Sequence, residues 1–302
     1  MNIIELEGIT KTYGNHKAVD NLTLHVPKGS IYGFIGPNGS GKTTTIRMIM
    51  NILYPDNGNI LINGKELIGA QLEKVGYLPE ERGLYTKMKV KDLIKFYGEL
   101  KGVKNLNEET DKWLKKFDLT KWGDKKVEAL SKGMSQKVQF IISVIDYPDI
   151  IILDEPFSGL DPVNAEIIKE EILKLRDNGS TIIFSTHDMS VAEKMCDYIF
   201  MIYKGKKVLD GTLTSIQEKF GQDTLRVQTE AGVSSLKDIR GVERVNDFGA
   251  VQEIKLEQHA DSQDVLQSIL GKTKVYKFEL TSPSLNDIFI RIARPEKTED
   301  HE

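Results

Sequence analysis

The sequence predicts an α/β protein built on a mostly parallel, doubly wound sheet. Short apolar segments of strand length, at residues 150–153, 181–185 and 198–203, are separated by helical or turn patterns, as in sheets that helices cover on both faces. A glycine-rich loop at 36–41 leads from another short apolar strand, at 31–35, into an amphipathic helix. The segment at 150–153 ends in two acids, which places carboxylates at the carboxyl edge of the sheet, where ligands of such folds bind.

Length and composition limit the number of domains, the kinds of partner and the cellular compartment that are expected. A chain of 302 residues exceeds the size at which one hydrophobic core stops growing, so two domains are expected. The net charge of -4 argues against a surface that neutralises phosphates, and no nucleic acid is expected as a partner. The one cysteine, Cys196, excludes an intramolecular disulfide and indicates a reducing compartment; its apolar helical surroundings predict a buried side chain.

No segment predicts a membrane span. The most apolar stretch, residues 138–153, is interrupted by Gln139, Asp146, Pro148 and Asp149, and it falls short of the ~20 apolar residues that cross a bilayer. The N-terminus has no basic region followed by an apolar one, so it does not read as a secretory signal. Action at a membrane would therefore require another chain to provide the spanning part.

The N-terminal part is predicted to add antiparallel structure to this core. Residues 3–9 and 18–26 alternate apolar and polar side chains, as half-buried strands do. Residues 60–67 enclose an Asn-Gly pair, which signals a hairpin. A helix is predicted at 44–53 by its apolar spacing, and the helical, lysine-rich pattern at about 83–146 predicts an inserted helical subdomain.

After residue 212 the pattern changes, which predicts an accessory domain at 213–302 in addition to a main domain at 1–212. This part is expected to be a small α+β domain with no cluster of catalytic residue types and a charged tail that frays. The predicted strands lie at 224–229, 250–256 and 274–280, and the predicted helices at 234–240, 261–270 and 284–293.

The glycine-rich loop predicts a phosphate site. It fits the pattern G-x-x-x-x-G-K-[ST] between a strand and a helix, where backbone N–H groups and the helix N-terminus face phosphate oxygens. Lys42 can reach the β- and γ-phosphates, and the Thr43 hydroxyl can ligate Mg²⁺. By chance the four fixed positions would coincide in roughly one chain in a hundred of this length, so ATP and Mg²⁺ are the expected cofactors. The predicted binding residues are Gly36, Pro37, Asn38, Gly39, Ser40, Gly41, Lys42, Thr43 and Thr44.

The acids after the strand at 150–153 supply the second half of this site. A short apolar strand does not tolerate a carboxylate inside it, so Asp154 is expected at the end of the strand, where it can hold Mg²⁺. Glu155 follows it and can polarise an attacking water. An acidic loop after a strand is common in any α/β protein, and only the pairing with the glycine-rich loop favours catalysis, with Lys42 as a further catalytic residue.

A segment at 130–136, Leu-Ser-Lys-Gly-Met-Ser-Gln, precedes an apolar-periodic helix and then the run Leu-Asp-Glu-Pro. It resembles the signature segment of ATP-binding cassette (ABC) proteins, with Ser131 and Gly133 at its serine and second glycine. Other elements follow in the order of that family, and the match covers roughly residues 2–215. The resemblance implies that Tyr13 stacks on adenine, that Glu80 stands at the Q-loop position with a catalytic and metal-binding role, that Asp161 belongs to the D-loop and that His187 is the switch histidine.

The resemblance implies that two cassettes, identical or paralogous, close head to tail on two ATP molecules. Ser131 and Gly133 of one protomer would then contact the γ-phosphate on the P-loop of the other. The resemblance extends to exporter-type bacterial cassettes of sodium and drug efflux systems. It therefore implies a separate polytopic membrane subunit, a coupling surface around residues 83–105, and a cytoplasmic position at the inner face of the cell membrane.

Three residues depart from the family pattern. Glu80 replaces the usual glutamine, and it would either ligate the metal more strongly or repel the γ-phosphate. Lys132 and Met134 stand where the family more often has Gly and Gln. One hypothesis is that Lys132 offsets the charge of Glu80 across the dimer; drift without functional weight is an equal alternative.

Two other functions compete with an ATP-hydrolysing transporter subunit. A soluble ABC-type mechanical ATPase that acts on nucleic acid or ribosomes usually carries two cassettes or a long coiled coil, whereas this chain has one P-loop and no long heptad run. A nucleotide-kinase-like transferase gives no reason for the segment at 130–136, and it would release a phosphorylated product instead of free phosphate.

Overall fold

A computed structural model describes residues 1–67, 75–81, 83–221, 223–236, 238–247, 249–257 and 260–293. Its internal contacts divide the chain into two compact units, Met1–Thr212 and Leu213–Glu302.

The described residues of the first unit contain two sheets and a set of helices. The strands are β1 (Asn2–Tyr13), β2 (His16–Pro27), β3 (Ile31–Ile35), β4 (Asn57–Ile62), β5 (Lys65–Glu66), β6 (Val75–Leu78), β7 (Ile150–Asp154), β8 (Thr181–Thr186), β9 (Tyr198–Tyr203) and β10 (Lys206–Gly211). The helices are α1 (Lys42–Ile49), α2 (Val90–Leu100), α3 (Leu106–Lys116), α4 (Lys132–Val144), α5 (Pro162–Asp177) and α6 (Met189–Met195).

The larger sheet has the strand order β10-β9-β3-β8-β7-β6. Its pairs are parallel except for the hairpin of β9 and β10, so the predicted mostly parallel sheet is confirmed. The smaller sheet, in the order β2-β1-β4-β5, is antiparallel, as expected for the N-terminal part. Strands β6 and β10 have no counterpart in the prediction.

The larger sheet separates two hydrophobic cores, because successive side chains of a strand point to opposite faces. In β7, Ile151 and Leu153 join the core that contains the helices α2, α3 and α4. Ile150 and Ile152 join the core formed with β1, β2 and α1. Burial on both faces accounts for the continuous apolar sequence of this strand, and it fixes the end of β7 against both layers.

The three helices after residue 83 form the inserted helical part that the sequence predicts. They surround large buried side chains, among them Trp113, Phe117 and Phe140, whose rings lie 5.7–5.9 Å apart in successive pairs. The buried ammonium of Lys137 donates to the carbonyl of Phe117 at 3.1 Å, and burial lowers the pKa of Lys137.

The second unit is an α+β arrangement. Its elements are α7 (Leu213–Phe220), β11 (Thr224–Thr229), β12 (Val242–Asp247), β13 (Gln252–Leu256), α8 (Ser262–Leu270), β14 (Val275–Thr281) and α9 (Leu285–Ala293). The antiparallel sheet has the order β12-β13-β11-β14, and its core includes Val265 and Ile269 of α8. The helix predicted at 234–240 is wrong: the chain forms a short 3₁₀ turn at Gly232–Leu236 and then enters β12, which the prediction lacked.

Candidate functional site

The glycine-rich loop joins the buried strand β3 to helix α1 and needs glycine at two of its positions. Gly36 has φ +155°, and a Cβ added there would lie 2.2 Å from the carbonyl oxygen of Ile202. Gly41 has φ +113°, and a Cβ there would lie 2.4 Å from the carbonyl oxygen of Ala18. The loop is therefore pressed against neighbouring backbone, and its curl requires residues without a side chain.

We expect Gly36→Ala to destabilise the protein by about 2–6 kcal/mol, because the substitution adds a backbone clash to a strained φ. Gly39→Ala is the matched control: φ is +76°, but open space surrounds the added methyl, so the cost is about 1–2 kcal/mol. Urea unfolding of both variants measures the difference. Equal losses of unfolding free energy in Gly36→Ala and Gly39→Ala would contradict the close approach of the backbone at Gly36.

Lys42 lies inside this loop with only 6% of its surface exposed. Its ammonium donates to the carbonyl oxygens of Gly36 at 2.7 Å and Pro37 at 3.2 Å. Burial lowers the pKa of Lys42, and the carboxylates of Glu155, Asp154 and Glu80 oppose that shift. A desolvated cation held at the N-terminus of α1 is a strong partner for phosphate oxygens.

The two acids diverge at the end of β7. Asp154 is fully buried; its Oδ1 accepts from the Ser185 hydroxyl at 2.5 Å and lies 3.5 Å from the hydroxyl oxygen of Thr43. The Ser185 hydroxyl also accepts from the N–H of Glu155 at 2.9 Å. The Ser185 hydroxyl thus joins both acids across the β7–β8 pair, where Asp154 stands opposite it. Sequence analysis missed Ser185, and only its position at the end of the predicted strand 181–185 could have suggested it.

We expect Ser185→Ala to lower ATP turnover about tenfold or more, because a hydrogen bond to a charged group contributes about 1.5–3 kcal/mol. Ser180→Ala is a matched control: this buried hydroxyl donates to the carbonyl of Pro148 at 2.8 Å before β8 begins, away from both acids. It should cost about 1 kcal/mol of stability and leave turnover unchanged. The steady-state rate of phosphate release checks both variants. Equal rates of release by Ser185→Ala and Ser180→Ala would show that Ser185 has no role in the site.

Glu155 points toward a histidine. Its φ of +52° is a left-handed conformation that is unusual for a residue with a side chain. Its carboxylate oxygens lie 3.0 and 3.2 Å from Nδ1 of His187. The Glu155 side chain is 11% exposed and that of His187 is 59% exposed. The backbone conformation therefore directs a nearly buried carboxylate toward an accessible imidazole.

Lys42, Thr43 and Glu155 border one cleft of about 450 Å³. It brings together the predicted Tyr13, Glu80 and Glu155 with the loop residues Asn38, Gly39, Gly41, Lys42, Thr43 and Thr44. His16 and Ala18 also line it, and sequence analysis missed both. The signal for His16 was the two-residue turn after Tyr13, since Tyr13 and His16 are cross-strand partners and so share one end of the hairpin.

Eight predicted residues do not line this cleft. Gly36, Pro37 and Ser40 belong to the glycine-rich loop, Asp154 ends β7 and His187 contacts Glu155. Ser131, Gly133 and Asp161 lie in other segments. Ser131 caps α4, and its hydroxyl accepts from the N–H of Met134 at 3.2 Å. A Cβ on Gly133 would lie 3.4 Å from the side chain of Leu160. Asp161 caps α5. The signature and D-loop segments are thus neighbours of each other, outside the cleft of their own chain.

The oxygens near Asp154 fit a magnesium ion. Its Oδ2 is buried without a hydrogen-bond partner among the described residues, and the Thr43 hydroxyl is close to the other oxygen. The described residues hold no group of three His, Cys, Asp or Glu side chains that would form a protein-only metal site. This sparse oxygen set suits Mg²⁺, which takes one or two protein ligands and completes its shell with phosphate oxygens and water.

The fold and the cleft define a P-loop nucleotide-binding ATPase. Residues 19–158 match the ABC transporter family, and residues 211–293 match the C-terminal domain of DrrA1-3-like ATP-binding proteins. The chain is 40% identical to the uncharacterized ABC transporter ATP-binding protein YhaQ of Bacillus subtilis, over 95% of this chain and 97% of that protein. The chain belongs to the ABC transporter family.

Other comparisons agree with this assignment. The linearmycin resistance ATP-binding protein LnrL of Bacillus subtilis is 30% identical over 96% of this chain and 98% of its own length. The ATP-binding subunit of an ABC transporter superposes with a TM-score of 0.68 at 29% identity, over 72% of this chain and 93% of that chain. A dimeric cassette in a post-hydrolysis state, bound to ADP and Pi, superposes with a TM-score of 0.64 at 25% identity, over 70% of this chain and 98% of that chain.

The protein is an ATP-binding subunit that hydrolyses ATP to drive transport, and cassettes of this family function as dimers with a membrane subunit. None of the comparisons supports the soluble mechanical ATPase. No helix in the described part of the chain is long and apolar enough to cross a membrane.

Proposed function

We propose that two copies of this chain, or one copy and a paralogous cassette, close head to tail on two MgATP molecules. The observation that carries this proposal is the split site: Lys42 and Glu155 line the cleft, whereas Ser131 and Gly133 lie outside it at the start of α4. A second protomer would bring its own α4 N-terminus, an anion-binding end, to the open side of the cleft.

In this arrangement each group of the cleft has a distinct task. Lys42 and the loop N–H groups hold the β- and γ-phosphates, and Tyr13 stacks on the base. Glu155, held by His187, accepts a proton from the water that attacks the γ-phosphate. Thr43, Asp154 and Glu80 are the candidate Mg²⁺ ligands, and the ion would neutralise charge on the phosphates.

The partner that turns this cycle into transport is a separate polytopic subunit, with the cassette at the cytoplasmic face of the membrane. Export is the favoured direction because the name of one relative states it and the name of another refers to drug resistance. LnrL confers linearmycin resistance, the Streptococcus pyogenes protein SrtF serves lantibiotic transport, and a Cupriavidus metallidurans relative serves Nod factor export.

The contact surface for that subunit is proposed around residues 83–105. An aromatic group formed by Tyr85, Phe96 and Tyr97 has ring centroids 5.4–6.4 Å apart. Tyr85 is 55% and Phe96 38% exposed, and Leu100 nearby on α2 is 69% exposed. Large apolar side chains grouped at a surface are typical of interaction sites.

Co-purification tests this function. A tagged chain is extracted from membranes in mild detergent, and the recovered proteins are identified by mass spectrometry. We expect a polytopic membrane protein in wild type and a several-fold lower yield of it in Phe96→Asp, with unchanged ATP turnover of the free chain. Exposed Tyr54, 69% accessible, provides the control Tyr54→Asp. Recovery of ribosomes or nucleic acid in place of a membrane protein would refute the proposal.

The unit Leu213–Glu302 is proposed as an accessory domain that regulates the cassette or stabilises its dimer. Its own core supports folding as a separate unit, and its match to the C-terminal domain of DrrA1-3-like proteins supports a recurring role beside a cassette.

A further inference from the structure

The second unit contains a cavity between charged and polar residues, whose apolar atoms form most of its exposed wall. None of these residues is assigned to ATP binding or hydrolysis. Its volume is about 140 Å³, well above the ~15 Å³ that one water needs and below the ~300 Å³ of cofactor-sized sites. The size therefore suits a ligand of a few heavy atoms and excludes a nucleotide. The lining residues are Thr224, Glu243, Arg244, Asn246, Glu253, Lys255, Asp287, Ile290 and Arg291, from β11, β12, β13 and α9.

An irregularity in β12 shapes this cavity. The register with β13 shifts between Val242 and Arg244, and Arg244 stands opposite Lys255. Such a bulge inserts an extra residue, here Glu243, and re-aims side chains, so that both Glu243 and Arg244 line the same space. The Lys255 ammonium is paired with the Glu243 carboxylate at 2.7 Å, so Arg244 is the cation of this cross-strand pair that has no carboxylate partner among the described residues.

The acids of the cavity already have partners. Glu243 accepts from Lys255 at 2.7 Å, and Glu253 accepts from Arg226 at 2.9 Å. Asp287 accepts from the backbone N–H and the hydroxyl of Ser284. Arg291 in turn is paired with Asp223 at 3.0 Å. Each of these carboxylates therefore has at least one donor partner, and of these donors Lys255 also lines the cavity.

Two donors remain. Arg244 and Asn246 alternate along β12 and so share one face of the strand. Neither side chain has a hydrogen-bond or ion-pair partner within the described part of the chain. A guanidinium presents paired N–H donors that match phosphate or carboxylate oxygens, and an adjacent amide adds another.

We propose that this cavity binds a small oxyanion of about the size of phosphate, through Arg244 and Asn246. The ligand is a free phosphate compound or the phosphate of a lipid headgroup, since both present the same oxygens. Binding here is independent of the P-loop, which is the other phosphate site of the chain.

Titration of inorganic phosphate into the full chain, followed by isothermal calorimetry, tests the proposal. Arg244→Gln is expected to weaken binding tenfold or more, and Asn246→Asp should weaken it as well because it adds a carboxylate to the cavity. Lys277→Gln is the matched control, because this lysine lies on β14, pairs with Glu279 and does not line the cavity. Lys42→Ala reports on the P-loop. Lys277→Gln should keep the wild-type affinity within twofold, and Lys42→Ala should lose only the phosphate that the P-loop binds.

Loss of binding in Lys42→Ala but not in Arg244→Gln would assign the phosphate to the P-loop and overturn the proposal. Absence of binding to wild type at millimolar phosphate would overturn it too, and so would binding of acetate in preference to phosphate. Sedimentation with vesicles of phosphatidate or of phosphatidylcholine identifies the source. Capture by phosphatidate that depends on Arg244 indicates a headgroup, and binding of free phosphate alone indicates a soluble ligand; both outcomes support the site.

Discussion

Glu155→Gln is expected to lower ATP turnover by about 10²–10⁴-fold, the usual contribution of a general base, while ATP stays bound. The amide keeps the size of the carboxylate but cannot accept a proton. Its backbone conformation at φ +52° and its neighbour His187 are available to the amide as well, so the shape of the cleft is kept. Phosphate release measures turnover, and equilibrium dialysis with radiolabelled ATP measures binding.

Glu166→Gln is the control for this result. Glu166 lies on α5 with its side chain 64% exposed and paired with Lys169, and it does not line the cleft. Its removal should leave turnover unchanged. Wild-type turnover in Glu155→Gln would remove Glu155 as the base, and loss of ATP binding would show that its role is structural.

Lys42→Ala is expected to weaken ATP binding by about 10–150-fold, because a hydrogen bond to a charged group contributes about 1.5–3 kcal/mol. The substitution removes the buried ammonium that lies within the loop, 2.7 Å from the carbonyl oxygen of Gly36. Turnover should fall with binding, since the same cation stabilises charge that develops on the phosphates. Fluorescent nucleotide titration gives the affinity.

Lys28→Ala controls for the loss of one positive charge, because Lys28 is an exposed residue in the turn after β2. It should bind ATP as wild type does. Thermal denaturation of the Lys42 variant without nucleotide separates folding from binding: an unchanged midpoint with weaker ATP binding is the expected pair of results. Unchanged ATP affinity would contradict the assignment of the P-loop.

Local patterns were enough to predict much of the parallel sheet. Strands β3 and β9 begin and end where the sequence predicts, at Ile31–Ile35 and Tyr198–Tyr203, because an uninterrupted apolar run bounded by turn residues fixes both ends of a buried strand. The hairpin at 60–67 is also confirmed, since Asn63 and Gly64 take positive φ, as the Asn-Gly signal requires.

Features that depend on tertiary pairing were not predictable in this way. Ser185 matters because β7 and β8 are neighbours in register, a fact that no local pattern contains. Helix α1 begins at Lys42, two residues before the predicted start, because the loop glycines lead directly into it. The segment at 234–240 has helical spacing, but Leu236 ends a 3₁₀ turn and Ile239 lies beyond it. Both side chains pack in the core of the second unit without a helix.

If each ATP lies between two protomers, two inactive variants should complement each other when they are mixed. Lys42→Ala removes the P-loop lysine, and Gly133→Asp adds an acid to the signature segment, at a helix N-terminus that tolerates it. In a head-to-tail dimer of the two, one site combines an intact P-loop with an intact signature segment. The account predicts that each variant alone is inactive and that the equimolar mixture recovers ATP turnover. A mixture as inactive as its components would contradict it.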